Sequence, residues 1–129
     1  DEDWLGLVRE WMNVTLKENQ PGQVKWVEEA AKLGREKQKQ FFRYYNHLLE
    51  QCVRLRILGN ESHTLSANEA DFAKRLNKIA SVTQQQAILT ELDKASYYIE
   101  RNANPKILFH ALTIKMLHII RDKVVVSAA

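Results

Sequence analysis

Four histidines, one cysteine, a few adjacent carboxylates and two groups of lysine and arginine are the residues of this 129-residue chain that could do chemistry. His47, His63, His110 and His118 could ligate a metal or pass protons, but none has zinc-type spacing and Cys52 has no cysteine partner. His110 and His118 stand eight positions apart; on one helix that is about two turns, roughly 12 Å, too far to share an ion. Cys52 lies in an apolar run, the setting of a buried inert thiol rather than of a nucleophile. Glu28-Glu29 and Glu91/Asp93 are paired carboxylates, yet each pair rides on a helix whose other face is apolar, so both read as solvated surface. The glycines, at positions 6, 22, 34 and 59, stand alone and make no phosphate loop. The residues show no catalytic constellation, and no catalytic group, metal, cofactor or small-molecule substrate is expected; the remaining enzyme reading is a site assembled from distant residues, such as a Glu with His110 or His118.

Charge offers one other chemistry. Lys32, Arg35, Lys37, Lys39 and Arg43 cluster around a turn and the helix after it, and Lys74, Arg75 and Lys78 form a second patch. A phosphate-binding surface has this composition. So does a solvated helix face, because acids and glutamines interleave the cations and the formal net charge is only +3. Tyr97-Tyr98 and Phe41-Phe42 could stack bases, but at helical spacing such pairs divide between core and boundary, or face a partner. Nucleic-acid contact is the lesser reading.

The elements that must hold these residues are helices. Four Gly and two Pro compare with roughly nine and six at average usage, too few turns for a sandwich or barrel. The lone cysteine fits a reducing compartment and a cytoplasmic protein, and no apolar run approaches the roughly 18 residues of a membrane span. The expected fold is an all-α compact bundle of five to six helices, residues 1–123, with a frayed tail at 124–129.

Trp4, Leu5, Val8, Trp11, Met12 and Leu16 make the stripe of a first helix from Asp3 to about Glu18, broken by Gln20-Pro21-Gly22. A second, about Gln23 to Leu33, carries Val24, Val27, Ala30 and Ala31 inward, with Gly34 as its C-cap. The third, about Arg35 to Leu58, is apolar over more than half its circumference and should lie centrally. After a polar loop from Glu61 to Leu65, Ser66 and Glu69 form a capping box for the fourth. Ser81 caps the fifth, where Ile88, Leu92, Ala95 and Ile99 recur at four, three and four. Asn104 and Pro105 start the last helix as N-cap and first helical residue. That helix is apolar on several faces, as expected of one buried in the domain or against a partner. The chain begins at a helix start without an initiator Met, which suggests a domain of a longer protein.

The run from Tyr98 through Glu100-Arg101-Asn102-Ala103-Asn104-Pro105-Lys106 to Phe109, followed by Ala111-Leu112, resembles the C-terminal domain of bacterial clamp-loader subunits of DNA polymerase III. In that family an Asn-x-Asn-Pro turn opens a leucine-rich last helix. Lys25-Trp26-Val27-Glu28-Glu29 and Gly34 to Phe41 extend the resemblance, which is nearest to the delta-prime type of Bacteroidetes and less near to the gamma/tau type. It implies a helical collar: a non-catalytic oligomerisation domain that packs against the other clamp-loader subunits during DNA replication. It also implies structural roles for Asn102, Asn104 and Pro105, and polar contacts to a neighbouring collar from Arg101, Lys106 and His110. The chain lacks the family's phosphate-binding lysine loop, metal-binding acids and arginine finger, so no ATP hydrolysis is expected of it.

Overall fold

Capping residues decide where the helices begin. A computed structural model describes residues 3–59 and 65–122 and contains six helices, with no strand among the described residues. These are α1 (Trp4–Leu16), α2 (Gln20–Ala31), α3 (Arg35–Leu58), α4 (Ala67–Ile79), α5 (Val82–Glu100) and α6 (Pro105–Arg121). The all-α bundle expected from the sequence is the fold observed. The tail at 124–129, and residues 61–64 of the polar loop, lie outside the described residues. No described helix is long and apolar enough to cross a membrane.

Asp3 Oδ1 accepts from the Gly6 amide at 2.9 Å and opens α1. Ser66 with Glu69, and Ser81 with Gln84, close reciprocal capping boxes on α4 and α5. Asn104 Oδ1 accepts from the Ile107 amide at 3.2 Å, with Pro105 in the first turn of α6.

Two boundaries differ from expectation. Pro21 does not break the chain: it sits in the first turn of α2, whose N-cap is Asn19, because a proline there forfeits only an amide the helix leaves unpaired. The break is made by Lys17 to Asn19, where Glu18 adopts a positive φ of 53°. Gly34 does not cap α2, which ends on Lys32; with φ of 86° it turns the chain into α3, a conformation open to glycine because it has no Cβ.

α3 packs on α5, α4 and α1, as expected of a helix with more than one neighbour. Phe41, Phe42, Tyr45, Leu48, Leu49 and Cys52 on it are fully buried. α6 packs on α2, α5 and α1, which closes the bundle. Where α1, α2, α3 and α6 meet, Trp11 stacks on Trp26 at 4.3 Å between ring centroids, and Phe41 and Phe109 pack against both. The indole N–H of Trp11 donates to Thr113 Oγ1 at 2.9 Å, and that of Trp26 to the Leu7 carbonyl at 3.0 Å, so neither large ring is buried with an idle donor.

That pair corrects the expected inner face of α2. Val24 is 44% exposed and Trp26 is buried. Two positions on an α-helix differ by about 200° in direction, so both cannot point inward. The larger ring takes the core, because it removes more apolar surface from water.

Candidate partner interface

The turn that joins α5 to α6 is built from the chain ends it connects. The amides of Arg101 and Ala103 donate to Tyr98 O, and that of Asn102 to Ile99 O, which satisfies two carbonyls in the last turn of α5. This geometry needs Asn102 in the left-handed region, at φ 63°, which Asn tolerates better than most residues. Its Oδ1 then accepts from Arg35 Nη1 at 2.6 Å. Arg101 folds back, donating to Tyr97 O at 3.1 Å with its guanidinium 3.5 Å from the centre of the Tyr97 ring. Lys106 and His110 are exposed on the first turns of α6.

From this turn an apolar row runs outward along α6. Ile107 is 69% exposed and Ile114 56%, with exposed Ala111 between them. Positions 107, 111 and 114 share one side by their spacing of four and three, opposite the face that buries Phe109, Leu112 and Met116. Beside the row, Tyr98 of α5, 50% exposed, meets Leu108 and Ala111 along a groove between the two helices. Tyr97 and Tyr98 are thus both on the surface, not shared between core and boundary.

Glu91, expected on the solvated surface, is 3% exposed and lines this groove. Its Oε1 accepts from Lys115 Nζ of α6 at 3.0 Å, and its Oε2 lies 3.6 Å from Lys94 Nζ. A buried carboxylate needs such partners to stay charged. The signal was in the sequence: Glu91 falls three after Ile88 and four before Ala95, on the apolar stripe of α5. Asp93 is exposed and accepts from Asn46 Nδ2 at 2.7 Å.

The basic residues do not form one patch. Arg35 is committed to Asn102, and Lys39 lies 3.6 Å from Glu36 and 3.7 Å from Glu100. Lys37 is two positions from Lys39, hence on a different flank of α3, while exposed Arg43 lines a shallow cleft with Trp4, Tyr44 and His47. Lys32 is the exposed C-cap of α2. In the second group Arg75 pairs with Asp71 at 3.2 Å, leaving Lys74 and Lys78 exposed on α4.

Among the described residues, the groups capable of reaction are buried, exposed singly or joined in pairs. Burial pushes the Cys52 thiol up to about 12, so it is protonated and out of reach at neutral pH. Tyr44 donates to Glu69 Oε2 at 2.7 Å, and burial together with that carboxylate raises its phenol pKa further. Burial works to raise the pKa of Glu69, but hydrogen bonds from Ser66 and Tyr44 outweigh it and hold the carboxyl below its ordinary range. His47 and His110 are exposed, and His118 Nδ1 lies 2.5 Å from Asp122 Oδ2. His63 falls outside the described residues. Among the described residues no three His, Cys, Asp or Glu side chains converge to hold a metal. No family model, curated protein or solved structure matches this chain.

Proposed function

We propose that the chain is a collar-type oligomerisation domain that works by helix-to-helix packing against sister subunits of a DNA polymerase III clamp loader, of the delta-prime type. The observation that carries this reading is the row Ile107, Ala111 and Ile114, left uncovered directly after the Asn102 to Pro105 turn on which the family resemblance rests. Isoleucines set two turns apart on an outer face leave apolar surface in water, and a partner that covers them recovers its transfer free energy. The turn supports the same reading. The Arg35–Asn102 bond and the Asn104 cap fix the direction in which α6 leaves α5, and so where the row points. Arg101, Lys106 and His110, exposed around the turn, are placed to form a polar rim.

The test is co-expression of the chain with the gamma/tau and delta subunits encoded in the same genome, followed by size-exclusion chromatography with light scattering. Co-elution in a stoichiometric complex is the expected result. Elution of the chain alone, or steeply salt-dependent micromolar binding of DNA by the isolated chain, overturns the reading in favour of a separate module.

A further inference from the structure

The charge around the α6 row identifies what kind of helix covers it. Lys94 and Lys115 border the groove on the α5 side, and Lys106 and His110 lie on the opposite flank of α6. The acids nearby are already occupied. Glu91 is buried between the two lysines, Glu100 faces Lys39 of α3, and Asp122 holds His118 at the far end of the helix. Lysines therefore border this apolar face on both flanks, although the formal net charge of the chain is only +3. Lys94 and Lys115 share a single carboxylate and keep further N–H donors, with side chains 44% and 49% exposed.

Resting on the collar reading, we infer that the α5/α6 face receives a helix of a different subunit, apolar along one stripe and flanked by Asp or Glu that bond Lys94 and Lys115. A second copy of this chain is the poorer occupant. Two-fold pairing of the face would set the same basic rim against itself, with no free acid on either side. The buried Glu91 gives the site its geometry. It holds both ammonium groups at the groove between Tyr98 and Ala111, so an incoming carboxylate meets donors already fixed in place.

The test measures binding of the purified gamma/tau and delta subunits to the immobilised chain over a range of salt. Ile114→Asp is expected to weaken binding at least tenfold, with Ile107→Asp as a second variant. Lys115→Gln, which leaves Lys94 on Glu91, is expected to weaken it several-fold and to flatten the salt dependence. Ile57→Asp, at an isoleucine 68% exposed near the end of α3, is the control and is expected to bind like the parent. Thermal melting of each variant establishes that it is folded. If the parent chain binds and both isoleucine variants bind equally well, this face is not the interface while the collar reading stands. If the parent binds neither subunit, the collar reading falls and the inferred partner with it. Sedimentation showing a dimer abolished by Ile114→Asp overturns the choice of a different subunit.

Discussion

Arg35 and Asn102, 67 residues apart in the chain, are joined at 2.6 Å by a hydrogen bond from guanidinium to side-chain amide oxygen. The bond ties the first residue of α3 to the left-handed turn between α5 and α6. A charged donor makes it one of the stronger kinds of hydrogen bond, although its exposure reduces its net worth. Its consequence is positional: α3 and the last helix are referred to one point.

Replacing Asn102 separates the backbone role from the side-chain role. Asn102→Ala is expected to destabilise by about 1–2 kcal/mol, through the left-handed φ and the lost acceptor. Asn102→Gly keeps the backbone conformation and loses the acceptor alone, so it should cost less. Urea denaturation of both variants, with Arg35→Ala for comparison, checks the order.

Asn104→Ala removes the oxygen that receives the Ile107 amide, and a loss of about 1 kcal/mol is expected in a thermal or urea melt. Pro105→Ala at the first helical position should change stability by only a few tenths of a kcal/mol, because no helical hydrogen bond depends on it. Equal stability of Asn104→Ala and the parent would refute the cap as a stabilising contact.

Thr113→Val tests the polar contact inside the aromatic hub. Thr113 Oγ1 accepts from Trp11 Nε1 at 2.9 Å and donates to Phe109 O at 2.8 Å. Valine keeps the volume but strands the buried indole N–H, so a loss of about 1–3 kcal/mol is expected. Trp11→Phe in the Thr113→Val background should then cost less than Trp11→Phe alone, a coupling that a double-mutant cycle measures.

Glu69 links α4 to α3 through Ser66 and Tyr44, and those hydrogen bonds set a pH dependence. Its folded pKa lies below the ordinary carboxylate value, so the carboxylate form contributes stability above the unfolded pKa of about 4.3. That contribution is lost as pH falls through the folded pKa. Glu69→Gln should therefore be less stable than the parent at pH 7, and the difference should shrink below about pH 4. Paired urea titrations at pH 7 and pH 3 measure it; a gap independent of pH removes the carboxylate from the account.

Much of the fold was readable from local pattern. Ser66, Ser81 and Asn104 mark helix starts because a cap is a contact across three residues, complete within the sequence that encodes it. The packing of α3 on more than one helix followed from an apolar surface too wide for one neighbour. The inner face of α2 is not legible in the sequence because Val24 and Trp26 are both apolar, and the rings of Trp11, Phe41 and Phe109 on other helices decide which one is buried. Of the candidate interface, the turn is marked in the sequence by Asn102, Asn104 and Pro105, and the exposed face beside it is not. The exposure of Tyr98 and Ile114 depends on what the neighbouring helices leave uncovered.

The sequence by itself determined the all-α class and the starts of α4, α5 and α6, since each follows from local composition and spacing. The tertiary structure decided that Glu91 is buried between Lys94 and Lys115, that Arg35 meets Asn102, and that the isoleucines of α6 face outward. A helix period tells which residues share a side. Which side is covered is fixed by packing among helices distant in sequence, where the burial of each apolar face competes with every other.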